Sequence, residues 1–251
     1  MELFGALRQR QWHTLFGYVL FVGMMAVGYY YNVTFVQLGL VDLGTRLIGL
    51  AESRVALHMA VLALLTLAVA LAVGWLMMRR GWSASFVVKL RLAFASVLLQ
   101  MLLTVVAPSI RSESLFLAWM IGCSLALGIG VPATFSMAVD LIPVRDRGYV
   151  AALIAALAYF AAPVFSGDWR IEGFATQMLL VMPLGVIGLG VLAWRQWPWV
   201  ERLARQHEQP AFGWGRFARD PVGRSPLNRR LWGFIGLMFA IFFVDSLGFL
   251  R

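Results

Sequence analysis

One cysteine, one lysine, three histidines and 12 acidic side chains are all that 251 residues contain of these types. Each shortage removes a class of protein. Cys123 stands alone inside an apolar run, so no disulfide framework exists. Lys89 lies at the start of the third apolar run, not in the last, which excludes a seven-helix retinal protein with its Schiff-base lysine there. A bis-histidine haem needs two imidazoles at one depth. His13 and His58 instead begin different runs from opposite ends, and His207 sits in a basic loop. Neither HExxH, GxSxG nor a pair of acids within an apolar run is present, so no metal, cofactor or enzyme chemistry is indicated.

Apolar residues fill the gap. They make up 61% of the chain against 13% charged, and the mean hydropathy is +0.80. A soluble domain holds about 45–50% apolar and about 25% charged residues. A chain of this length cannot enclose the excess in water, which implies a multi-pass membrane protein with the lipid bilayer as its first partner. The net charge of +9 comes from 20 arginines and Lys89. These interrupt apolar runs and form no separate basic domain, so nucleic acid is not the expected partner. Arg8 and Arg10 before an apolar stretch resemble a signal peptide, but the stretch runs past Tyr31 without a small-residue cleavage site. A retained first helix is expected.

Seven runs reach the roughly 20 residues needed to cross about 30 Å of hydrocarbon: 15–38, 55–78, 86–107, 115–141, 149–166, 174–194 and 231–250. Helices are the expected form, since each crossing must satisfy its own backbone polar groups. Sixteen basic residues fall at the N-terminus and in alternate loops, among them Arg79, Arg80, Lys89, Arg91, Arg145 and Arg147. The opposite loops hold Arg46, Arg54, Arg111 and Arg170 against Asp42, Glu52, Glu113, Asp168 and Glu172. By the positive-inside rule the N-terminus is cytoplasmic, in a cell (inner) membrane. Residues 1–194 then form a six-helix bundle, 195–230 a basic cytoplasmic loop and 231–251 a seventh helix. The loop segment "WPWVERLARQHE" suits either an interfacial helix or a solvated linker. "WGFIG" at 232–236 echoes "FGYVL" at 16–20 and suggests that a second six-helix unit begins there. The remaining helices of that unit are expected in the same reading frame or as a second chain.

Loop motifs suggest a family. "DLIPVRDRG" resembles the loop after the fourth helix in the major facilitator superfamily, with Asp140, Pro143, Arg147 and Gly148 matching acid-x-x-Pro-x-x-x-Arg-Gly. "GWLMMRRGW" is similar to its second-to-third loop motif at Gly74, Leu76, Arg79 and Gly81, with Met78 where an acid is expected. Gly128 and Gly130 resemble its fourth-helix motif, with Ser124 in place of the arginine. The fifth helix keeps Pro163 but lacks the antiporter glycines. The resemblance implies an all-α fold, a six-helix bundle of 3+3 inverted repeats, and a secondary transporter working by alternating access. It also implies a cytoplasmic gating latch of Gly74, Arg79, Gly81, Asp140, Arg147 and Gly148, in which Asp140 meets Arg79 and Arg147. The alternative is that Asp140 simply offsets positive charge at the interface.

Polar groups inside apolar runs are costly and mark candidate sites. The first run carries Tyr29, Asn32, Thr34 and Gln37 as candidate lining of a substrate cavity, joined by Tyr159, for a small neutral or amphipathic solute. An aromatic belt at the outer interface is the other reading of the tyrosines. Asp245 is the only acid well inside a run and is a candidate coupling carboxylate, unless it lies near enough to the surface to be hydrated. Thr66, Gln100 and Thr104 are expected to hydrogen-bond within the bundle. Gly122, Ala126 and Gly130 are spaced for close helix contact. A membrane scaffold or assembly factor built on the same fold remains the alternative function.

Overall fold

A computed structural model describes residues 11–164, 169–195 and 197–205. The run at 231–250 with Asp245, the 232–236 echo, the loop beyond 205, and Arg8 and Arg10 lie outside them. Among the described residues the fold is all helical, without strands. The main helices are α1 (Trp12–Tyr31), α2 (Glu52–Arg79), α3 (Phe86–Val106), α4 (Glu113–Leu141), α5 (Arg147–Val164), α6 (Ile171–Trp194) and the short α7 (Pro198–Ala204). Among the described residues, five stretches are long and apolar enough to cross a membrane: Thr14–Leu47, Glu52–Arg79, Phe86–Ser109, Glu113–Leu141 and Ile171–Trp194. This is the architecture of a multi-pass membrane protein. Within α5 the apolar stretch Arg147–Leu157 is shorter.

Local chemistry sets the ends. The Ser85 hydroxyl accepts the Val88 amide at the start of α3, and the Ser112 hydroxyl accepts that of Leu115 at the start of α4. Gly81 follows the last turn of α2 at φ +67°, the left-handed position where an added Cβ is penalised. Beyond α4, Ile142 and Pro143 break the helix, and Arg147 opens α5.

The first crossing departs from its expected end near residue 38. Helix continues through a π-helical stretch (Asn32–Leu38), an α turn (Gly39–Asp42) and a second π stretch (Leu43–Leu47). It reaches Asp42 and Arg46, expected in a loop, because these two pair one turn apart at 2.6 Å. Gly49 at φ +79° follows the end of the helix.

α4 is the hub, packing on both α2 and α3; α3 also packs on α6, and α1 on α5. Gly128 brings α4 against α2, where an added Cβ would strike Val69 and come within 3.2 Å of the Ala70 amide nitrogen. Gly130 makes the equivalent approach to Ser96 of α3, and at Gly122 an added Cβ would lie 2.7 Å from Leu103. Two buried apolar clusters result. Phe35, Phe116, Trp119 and Phe174 centre one, and Leu90, Met137, Leu141 and Ile142 the other. Leu64, Leu71 and Met78 on α2, with Leu180 and Leu184 on α6, stand 65–75% exposed. In water such faces would drive association; in hydrocarbon they need no cover.

Candidate functional site

Two charged clusters mark opposite ends of the bundle. At the end holding the start of α1, Lys89 Nζ donates to Asp140 Oδ2 at 2.6 Å, and both residues are almost fully enclosed, 2% and 3% exposed. Lys89 also reaches the Ser136 carbonyl at 3.4 Å. The Tyr18 hydroxyl donates to buried Asp146 Oδ2 at 2.6 Å. Arg147 binds the Ile142 carbonyl through Nε at 3.1 Å and lies within electrostatic reach of Asp140. These contacts tie α1, α3, α4 and α5 together. At the other end Arg46 bridges Asp42 and Glu172, and Glu113 faces Arg54 at 3.6 Å. Asp42 also accepts the Ile171 amide at 3.0 Å, fixing the first turn of α6.

Among the described residues, then, the ion pair of Asp140 goes to Lys89 and not to Arg79. The Arg79 guanidinium lies over the Trp75 ring, 5.0 Å from its centroid. The reason is reach: α2 and α3 both pack on α4, but Lys89 rises from inside α3, whereas Arg79 is the last residue of α2, at an exposed corner. Arg147 stays near Asp140, as expected. Gly81 serves the turn after α2, while Gly74 and Gly148 have open space where a Cβ would point. Lys89, Tyr18 and Asp146 were not among the expected site residues. The signal for Lys89 was present: the only lysine, placed three residues inside an apolar helix, needs a buried partner.

The polar residues of the first crossing separate. Thr34 is 1% exposed, and its hydroxyl returns to the Tyr30 carbonyl, so it faces the interior of the bundle and not an open surface. Tyr29 is half-buried against the cluster around Leu90. Asn32 opens the π-helical stretch, and its side-chain oxygen is buried without a hydrogen-bond partner among the described residues. Gln37 and Tyr159 lie on helical backbone, with side chains outside the description. Tyr31 is bound inside the bundle to Thr104 Oγ1 at 2.6 Å and to the Gln100 carbonyl. Gln100 in turn donates to Ser96, which donates to the Ala126 carbonyl. Gln100 and Thr104 thus bond within the bundle, as expected, whereas the Thr66 hydroxyl, expected to do the same, is buried without a hydrogen-bond partner among the described residues.

Two gaps are found among the described residues. The gap between Tyr31, Gln100, Leu103 and Cys123 has an empty volume of about 160 Å³, with no room for a water molecule. A cleft of about 180 Å³ opens beside Arg91 and Trp197. Solute pockets usually measure about 300–1,000 Å³, so neither holds a drug-sized solute. Among the described residues no cluster of histidine, cysteine and acids could hold a metal ion. Comparison with protein-family models, curated proteins and solved structures finds no match to this chain.

Proposed function

We propose that the chain is the N-terminal half of a secondary transporter of the major facilitator type, moving a small neutral or amphipathic solute by alternating access. The observation that carries this reading is Asn32. It places an amide oxygen without a partner among the described residues in the middle of an apolar crossing, where an unsatisfied polar group costs several kcal/mol in lipid. It does so at the start of a π-helical stretch, a geometry that recurs at functional sites. A solute donor reaching that oxygen would offset the cost.

The helix pairings support the fold part of the reading. Exchanging helices one, two and three with four, five and six turns the α1–α5 contact into the α4–α2 contact and leaves α3–α6 unchanged. An inverted three-helix repeat relates those pairs, while the most extensive contact, α3–α4, has no comparable α6–α1 counterpart, its nearest equivalent being the small contact of Asn32–Leu38 with α6. The chamber would form against a second half, in the same reading frame or as a second chain. Tyr29 would line it with Asn32 just behind, its amide oxygen enclosed until the solute enters, and the end bearing Lys89, Asp140 and Arg147 would face the cytoplasm of a cell (inner) membrane.

Thermal-shift screening of purified protein against small neutral and amphipathic solutes tests the reading. A solute that stabilises the wild type and not Asn32→Leu supports it. If no solute stabilises either protein while a stable protein partner copurifies, the scaffold function takes its place.

A further inference from the structure

We propose that the cleft between α3, α6 and α7 is a headgroup site for a zwitterionic aminophospholipid, with Arg91 and Arg195 on the phosphate and Glu201 on the ammonium. This inference uses the membrane setting alone and stands or falls apart from transport.

Three charged side chains line this cleft, and none of the three forms an ion pair among the described residues. The guanidiniums are held by rings rather than by carboxylates. Arg91 lies 5.6 Å from the Trp194 centroid, with Nε bonded to the Ala193 carbonyl at 3.3 Å. Arg195 lies 4.3 Å from the Trp197 centroid. Stacked this way, both are pre-oriented yet keep N–H groups for a phosphate, whose geometry the guanidinium fork matches. Glu201 projects from the first turn of α7, and Val200 beside it is buried, which anchors the short helix to the bundle.

The position favours lipid over a free anion. The cleft lies where α6 ends, and Trp194 and Trp197 have the interfacial character of aromatic belt residues. Ile187 and Val191, exposed on α6 below Trp194, offer an apolar track for acyl chains. At about 180 Å³ the cleft suits a headgroup better than a whole solute. Two cations and one acid match a phosphate joined to an ammonium. A purely anionic headgroup would meet the Glu201 carboxylate, and a choline headgroup could not donate to it.

The test is native mass spectrometry of the delipidated full chain with added phosphatidylethanolamine, phosphatidylglycerol or phosphatidylcholine. Wild type should retain phosphatidylethanolamine about tenfold better than phosphatidylcholine, the equivalent of one charge-assisted hydrogen bond. Glu201→Gln should erase that preference. Arg91→Ala with Arg195→Ala should weaken all three lipids by about thirtyfold, from two juxtamembrane cations. Equal retention of the ethanolamine and choline lipids by wild type would overturn the proposal, as would phosphatidylglycerol binding best, or full retention by the double variant. A thermal-shift arm with inorganic phosphate and phosphoethanolamine separates sources: stabilisation by either equal to that by lipid would make the cleft a soluble-anion site and sink the lipid assignment. If the arginine variant misfolds, Glu201→Gln decides alone.

Discussion

Lys89 and Asp140 are charged side chains withdrawn from both water and lipid, so each depends on the other. Losing one partner strips a buried charge of its ion pair, which costs up to about 3–5 kcal/mol, whereas replacing both by apolar groups of similar volume is often neutral. Lys89→Met and Asp140→Asn should therefore each lower the melting temperature in detergent sharply, and Lys89→Met with Asp140→Leu should recover most of the loss. A double variant no more stable than the singles would show that the pair does not act as a unit. The same series separates anchoring from gating. If the recovered double variant labels a reporter cysteine at Ser83 faster than wild type, Asp140 gates as well as anchors; an unchanged rate leaves it an anchor only. The Tyr31 hydroxyl is a smaller case. Its bond to Thr104 inside the bundle has the character of an interhelical membrane hydrogen bond, so Tyr31→Phe should cost about 0.6 kcal/mol in a denaturation midpoint.

Glycines divide the helices into contacts and open faces. At Gly128 a side chain would have to displace Val69 and the backbone beside it, so Gly128→Val should destabilise by about 1–3 kcal/mol through overpacking. Gly74, with open space around its Cβ direction, should accept alanine at no loss of thermal stability and gain about 0.5–1 kcal/mol from helix propensity. If Gly74→Ala were as unstable as Gly128→Val in thermal unfolding, the assigned α2 packing would be wrong. Most helices were readable in advance because twenty-residue apolar runs leave the backbone one way to satisfy itself in lipid. The extension of the first crossing to Leu47 was not. It depends on Asp42 pairing with Arg46 one turn on and capping α6 from far along the chain, contacts that hydropathy cannot register. The partner of Asp140 was hidden for a related reason. Loop motifs nominate neighbours in sequence, but packing of α3 on α4 decides which cation reaches the carboxylate. Likewise Thr34 and Asn32, two residues apart, point to different sides of the helix, but hydropathy cannot register that the Thr34 hydroxyl returns to Tyr30 while the Asn32 oxygen has no partner among the described residues.

The two charged clusters lie at opposite ends of the bundle, and lipid-suited faces cover the helices between them. That arrangement requires the connections to alternate across the bilayer. Gly49 and Arg111 are exposed at the end carrying Asp42 and Glu113; Ser83 and Arg145 are exposed at the end carrying Asp140. Cys123 is buried, so replacing it by alanine gives a cysteine-free background without removing an accessible thiol. Single cysteines at Gly49 and Arg111 should react with a membrane-impermeant maleimide from one side of intact cells. On the proposed orientation, with the basic ends inside, those at Ser83 and Arg145 should react only after permeabilisation. Labelling of Ser83 and Gly49 from the same side would mean that α2 does not cross. The paired-helix exchange and the transporter reading would then lose their foundation, because an inverted repeat needs its first three helices to end on the side opposite to where they began.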